Sequence, residues 1–238
     1  HRVGCRAMTS AAIMQPTYLP WIGYFALMDR VDLFVFLNNV QFDRRSWQQR
    51  NRIKGANGVQ TLTIPVHKKG LREQTIAEVG IVTDGDFPDK HVRTIELTYA
   101  RAPYFDRYAE GLFEILQAGH TLLADLTISL IEWLAEKLGI TTPSVRSNTL
   151  EAQGQKADLL ADICVRLDID NYVSPPGSRD YLDASEAFEQ AAIPVSYAEY
   201  EHPVYPQLHG PFVPQMSVID LLFNAGPDSL EVIRGGAR

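Results

Sequence analysis

The sequence predicts an α/β protein with a doubly wound, mostly parallel sheet and a helical insert or subdomain. Three observations predict it. Residues 11–37 read as strand, loop, helix and strand, a βαβ unit that implies a parallel pair. Short strands and helices alternate again after residue 140. Between them, residues 90–138 place apolar side chains three and four apart.

Residues 11–15 form the first expected strand, a short apolar run stopped by Pro16. Pro16 and Pro20 bracket a loop, because proline gives a sheet no N–H and restrains the residue before it. Trp21, Tyr24, Phe25, Met28 and Val31 then define a helix over 21–31, and residues 33–37 a strand buried on both faces. Residues 59–66 read as a strand, with Thr61 and Thr63 alternating against Leu62 and Ile64, and residues 70–85 as a charged surface loop or hairpin. Helices are expected over 90–97, 104–117 and 122–138, the last stopped by Gly139. Beyond them come strands at 144–147, 171–174 and 195–200, helices at 156–167, 185–192 and 217–224, and a Gly/Pro loop at 175–180.

This divides the chain into an α/β core (8–69 and 140–227), a loop plus helical insert (70–139), a C-terminal tail (228–238) and a leader (1–7) read as a tag or upstream extension. The net charge of −7, from 22 basic and 29 acidic side chains, argues against nonspecific nucleic-acid binding, which needs a basic surface to displace counterions. No apolar run approaches the roughly 20 residues that span a bilayer. Of two cysteines, Cys5 lies in the leader and Cys164 in an apolar helical pattern, so no disulfide framework is expected and the cytoplasm is the expected compartment. No zinc-type spacing appears: His202 and His209 are seven apart, without helical period, and no metal site is expected.

Four polar clusters are candidates for chemistry. Residues 38–54 hold five cations (Arg44, Arg45, Arg50, Arg52, Lys54), one acid (Asp43), Trp47 and several amides, directly after a buried strand. Ligands of open α/β sheets bind beyond the carboxyl ends of strands, and guanidinium groups suit phosphate or carboxylate. A solvated charged loop or helix would use the same cations. Residues 15–24 link the first strand to the first helix, a common place for anions, yet carry no GxGxxG and no Walker lysine; Tyr18, Trp21 and Tyr24 could equally pack in the core. His202, with Tyr205 and Gln207, follows an expected strand and is the candidate general base. Gly177 and Tyr181 lie in a loop at another strand end, or in a plain turn. A Ser147–His202–Asp158 triad can be written, with no nucleophile-elbow sequence behind it.

Four stretches, QPTYLPWIGY (15–24), FLNNVQFDRRSWQQRNRIK (36–54), YVSPPGSRDYL (172–182) and HPVYPQLHGPFVPQMSVIDLLFNAGP (202–227), resemble the WbqC-like family in its order. Asn39 stands where that family usually has an acid. The resemblance implies a setting in O-antigen or other surface-polysaccharide synthesis and a glycine-transferring role. It carries over Gln15, Tyr18, Trp21, Gln41, Trp47, Arg50, Asn51, His202, Tyr205, Gln207 and Asn224 as recurring polar positions.

The expected function is therefore transfer of a glycyl or other aminoacyl group to an amino sugar or related amine. His202 would be the base, Gln15 or Asn51 the oxyanion donor. Substrate would be held by Tyr18, Trp21, Tyr24, Asn38, Gln41, Trp47, Arg50, Arg52, Gly177, Tyr181, Tyr205, Gln207 and Asn224. The guanidinium groups would grip a nucleotide-sugar or the phosphate arm of a carrier-protein thioester. No fixed cofactor is implied beyond an activated acyl donor or nucleotide. Two other classes compete: an ATP-dependent adenylyl-type activating enzyme, and a non-catalytic binding protein of a polysaccharide or secondary-metabolite pathway.

Overall fold

A computed structural model describes residues 8–44, 46–67 and 73–238. The leader with Cys5, Arg45, and residues 68–72, which include the start of the loop expected at 70–85, lie outside the described residues. The elements run in the order β1 (Ser10–Met14), α1 (Ile22–Asp29), β2 (Leu33–Phe36), β3 (Arg50–Gly55), β4 (Gly58–Thr63), α2 (Asp89–Tyr99), α3 (Phe105–Leu116), α4 (Leu123–Leu138), β5 (Ser144–Arg146), α5 (Ala157–Arg166), β6 (Asn171–Ser174), α6 (Arg179–Asp183), α7 (Ala187–Gln190), β7 (Val195–Tyr197), α8 (Val218–Ala225) and α9 (Ser229–Gly235).

Five strands form one sheet in the order β5-β2-β1-β6-β7, and every neighbouring pair is parallel. The expected doubly wound α/β architecture is therefore observed. Alternation along the strands assigns the two faces. Ala12, Phe34 and Phe36 pack with α1, α4 and α8, whereas Ala11, Ile13 and Val35 pack with α5 and α7. Both faces are buried, as parallel sheets require. Helices α2, α3 and α4 share the first of these apolar clusters with α1 and α8. Gly139 ends α4 in the left-handed region at φ 85°, where a glycine cap costs least.

The chain winds outward from β1 to β2 to β5, then returns past β1 to β6 and β7. The winding direction reverses between β1 and β6. In open α/β sheets, that switch point opens a crevice beyond the carboxyl ends of the two strands.

Three segments differ from expectation; one is α6, which begins inside the loop expected at 175–180. Residues 50–55 are a strand, β3, paired antiparallel to β4 through a tight turn at Ala56-Asn57, not a charged loop or helix. Asn51 and Ile53 point inward while Arg50 and Arg52 share the other face, and the polar Asn51 at an inward position hides the period-two pattern. Residues 229–235, within the expected tail, form α9, whose Arg234 grips the α1 carboxylate of Asp29 through Nε (2.7 Å) and Nη2 (2.9 Å).

Candidate functional site

The carboxyl edge of the sheet carries a cavity of about 780 Å³ at the switch point. Gln15 follows β1. Leu37, Asn39, Val40 and Gln41 follow β2. Gly154, Gln155 and Lys156 lead into α5, and Tyr181 lies on α6 beyond β6. The loop into α5 is built by two left-handed residues, Gly154 (φ 96°) and Lys156 (φ 50°). A Cβ at Gly154 would lie 2.9 Å from Asp158 Cβ and 3.1 Å from the Leu159 nitrogen, so the loop turns as it does only with glycine there.

Gln15 is exposed on the crevice wall. Its Oε1 accepts from Gln48 Nε2 at 2.7 Å, and Gln48 Oε1 in turn accepts the Asp43 backbone N–H at 3.2 Å. The Gln15 carboxamide is thereby oriented, and its Nε2 keeps no protein partner among the described residues.

A second cavity, about 310 Å³, lies on the other side of the same turn. Met14, Thr17, Trp21, Tyr24, Trp47, Asn51, Arg52 and Gln215 line it. Trp47 is 47 % exposed, and the guanidinium carbons of Arg52 and Arg50 lie 5.2 and 5.8 Å from its ring centre. The Trp47 carbonyl accepts the Tyr18 N–H at 3.0 Å, which joins the cationic segment to the first βα loop.

Several expected site residues are consumed by the fold. Asn51 donates twice from Nδ2, to the carbonyls of Tyr18 (3.0 Å) and Leu19 (2.8 Å), and accepts the Arg52 N–H at Oδ1 (2.8 Å). It staples the first loop to β3 and has no N–H left for an oxyanion. The Tyr18 hydroxyl, fully buried, bonds His91 Nδ1 at 2.8 Å. Burial holds that imidazole down at about 4, well below its ordinary range, so it stays neutral. Asn38 is buried and accepts the Asn148 N–H at Oδ1, while Ser147 Oγ donates to Asn39 Oδ1 at 2.6 Å. No hydrogen bond joins Ser147 to His202, and no triad forms.

His202 has both ring nitrogens engaged. Nδ1 bonds the Pro203 carbonyl at 2.8 Å, and Nε2 accepts the Gln215 backbone N–H at 3.0 Å. This pattern fixes the neutral Nδ1–H tautomer. Burial lowers its pKa from the ordinary value, and the Pro203 contact partly offsets this. Its ring stacks on Trp21 at 6.1 Å and 19°. His202 thus holds Gln215, at φ 60°, against the smaller cavity.

Tyr205, Gln207 and Asn224 surround a residue that the sequence reading passed over, Asp220. Buried in α8, Asp220 accepts from Tyr99 (2.8 Å), Tyr205 (2.8 Å) and Gln207 Nε2 (2.7 Å), and its carbonyl accepts from Asn224 Nδ2 (2.8 Å). Burial raises its pKa against the pull of these donors. A single carboxylate inside the run VIDLLFNA was the available signal, since such a group must be partnered when buried. Gly177 lines neither cavity, and a Cβ there would meet open space.

The expected residues therefore divide. Gln15, Gln41 and Tyr181 meet in the larger crevice; Trp21, Tyr24, Trp47, Asn51 and Arg52 meet in the smaller cavity. Asn39 and the loop 154–156 join the crevice, and Thr17 and Gln215 the cavity. That a loop following β5 and opening a helix belongs to the rim was readable only once the strand order was known. Among the described residues, no three His, Cys, Asp or Glu side chains gather to hold a metal, and no helix is long and apolar enough to cross a membrane.

A family model described as "WbqC-like protein family" matches residues 15–232. An uncharacterized protein of Mycobacterium tuberculosis is 36 % identical over 229 residues, covering 95 % of this chain and 98 % of that protein. No solved structure matches.

Proposed function

The chain belongs to the WbqC-like protein family, and from that premise we propose that it is a transferase that seats an activated acyl donor in the β1/β6 crevice and passes a glycyl or similar aminoacyl group to an amine. The observation that carries the proposal is the coincidence of the crevice with the topological switch point, where open α/β sheets hold their ligands. At about 780 Å³ the crevice falls within the range of ligand pockets, roughly 300–1,000 Å³.

The chemistry fits what the rim offers. In acyl transfer the amine nitrogen attacks the carbonyl, the new C–N bond forms, the bond to the leaving group breaks, and the amine proton leaves with it or to solvent. The charge that develops on the carbonyl oxygen needs a pre-oriented donor, and Gln15 Nε2, aimed by Gln48, is such a donor. An acceptor amine with a pKa near that of an α-amino group, about 7.7–8.0, is partly neutral at physiological pH and asks less of a base than a hydroxyl does. A site whose candidate histidine has both nitrogens engaged is therefore compatible with an amine acceptor. Lys156 at the rim supplies positive charge for an anionic donor.

A mass-spectrometric assay tests this. The protein is incubated with glycyl thioesters or nucleotide-activated donors and an amino-sugar acceptor. A product heavier than the acceptor by one glycyl residue supports the proposal. ATP–pyrophosphate exchange with an amino acid, without acyl transfer, would assign the crevice to adenylation instead. Neither activity across the panel would leave a binding protein.

A further inference from the structure

We infer that the smaller cavity beside Trp47 is a second ligand subsite, separate from the crevice, that takes a phosphate monoester of a ring compound. The first argument is charge. Six other described arginines in this acidic chain hold carboxylates, among them Arg146 with Asp125, Arg166 with Asp162 and Arg234 with Asp29. Among the described residues Arg50 and Arg52 hold none, and the Nε atoms of both are buried without a hydrogen-bond partner. Among the described residues, the one side-chain hydrogen bond either guanidinium makes is from Arg52 Nη2 to the Gln215 carbonyl, at 3.5 Å. Buried donors on a charged group are costly to leave unmade, and an oxyanion satisfies them.

The second argument is placement. Arg50 and Arg52 alternate with inward-facing Asn51 and Ile53 on β3, so both guanidinium groups rise on one face. Both guanidinium groups lie within cation–π range of the Trp47 indole; Trp47 and Arg52 line the cavity, and Arg50 is joined to it through that ring. Because the hairpin partner β4 and the Asn51 staple fix β3, the pair is pre-organised.

The third argument is shape. Trp47 is half exposed at the mouth, Trp21, Tyr24 and Met14 give an apolar wall, and Thr17 adds a hydroxyl. An exposed indole next to two unpaired cations suits a ring that stacks while its phosphate meets the guanidinium groups. At about 310 Å³ the cavity sits at the small end of the ligand range, which fits one ring and one phosphate better than a dinucleotide. The Met14–Thr17 turn separates this cavity from the crevice, since Gln15 lines one and Met14 and Thr17 line the other.

Isothermal titration of the wild-type chain with inorganic phosphate, glucose 1-phosphate and uridine 5′-monophosphate tests the inference. At least one ester is expected to bind more tightly than inorganic phosphate, and which one distinguishes a sugar from a nucleoside. Arg52→Gln is expected to weaken it by about tenfold or more, the worth of a charge-assisted hydrogen bond. Trp47→Ala should weaken the ester more than inorganic phosphate, and Trp47→Phe should restore much of the loss. Trp47 is exposed, so these variants leave the core untouched, and circular dichroism checks the fold of Arg52→Gln. Esters that bind no better than inorganic phosphate, or affinities unmoved by Arg52→Gln and Trp47→Ala, would overturn the inference. Loss on Tyr181→Ala but not on Arg52→Gln would move the phosphate into the crevice, overturning this subsite while leaving the transferase proposal intact.

Discussion

Gln48 Nε2 donates to Gln15 Oε1 across 2.7 Å, and this one bond orients the only carboxamide that follows β1 at the crevice wall. Gln48 is buried and anchored to the Asp43 amide, so it acts as a fixed bracket. Removing an oriented oxyanion donor costs about 10²–10³ in kcat in known acyl-transfer sites. Gln15→Ala is expected to lower kcat by about that factor with little change in KM. Gln48→Leu should lower kcat less, because Gln15 remains present but unaimed. Steady-state kinetics of both variants check the order.

His202 is expected to position rather than to abstract a proton. Its Nε2 accepts the Gln215 N–H, and its ring covers Trp21. His202→Phe keeps the stacking and removes the bond, at a stability cost of about 1 kcal/mol. The pH profile of transfer should keep its acid limb in this variant. Disappearance of that limb would identify His202 as the base.

Asp220 is the most heavily bonded buried carboxylate described here. Asp220→Ala strands the hydroxyls of Tyr99 and Tyr205 in the core and is expected to destabilise the fold by about 3 kcal/mol or more. Asp220→Asn keeps one acceptor and turns an N–H toward a donor, so its loss should be smaller. Urea denaturation ranks the pair.

The imidazole of His91 gives a pH signature. Burial lowers its folded pKa to about 4, against about 6.5 in an unfolded chain. As pH falls, the unfolded chain binds the proton first, so stability drops between pH 6.5 and 4 and is flat above. The loss across that window is about 3 kcal/mol for this group. His202, lowered in the same direction, adds to the loss. In His91→Phe most of the slope should vanish, although the Tyr18 hydroxyl loses its partner at every pH. Denaturation midpoints between pH 4 and 8 check it.

The parallel sheet was legible because its strands are short apolar runs whose flanks are unambiguous: Pro16 after β1, Gly139 before the β5 crossover, Pro175 after β6. The strand β3 was not, since polar Asn51 fills one of its two inward positions beside Ile53 and Lys54 is buried as well, so no apolar alternation shows, and only its pairing with β4 completes the pattern. Candidate site residues were partly legible for a related reason. Strand ends located Gln15, Gln41 and Tyr181 on the rim. Polarity alone could not separate them from Asn51, Tyr205, Gln207 and Asn224, whose polar atoms satisfy buried backbone or Asp220. The sequence likewise carried no sign that the Met14–Thr17 turn would divide the polar residues between two cavities.

Hydrogen–deuterium exchange, with and without a bound acyl donor or its closest stable analogue, tests the crevice most directly. Slowed exchange confined to the segments around residues 15, 37–41, 154–160 and 181 is the expected result. Protection that spares all four and falls on another face of the molecule would contradict a reaction centre at the β1/β6 switch point.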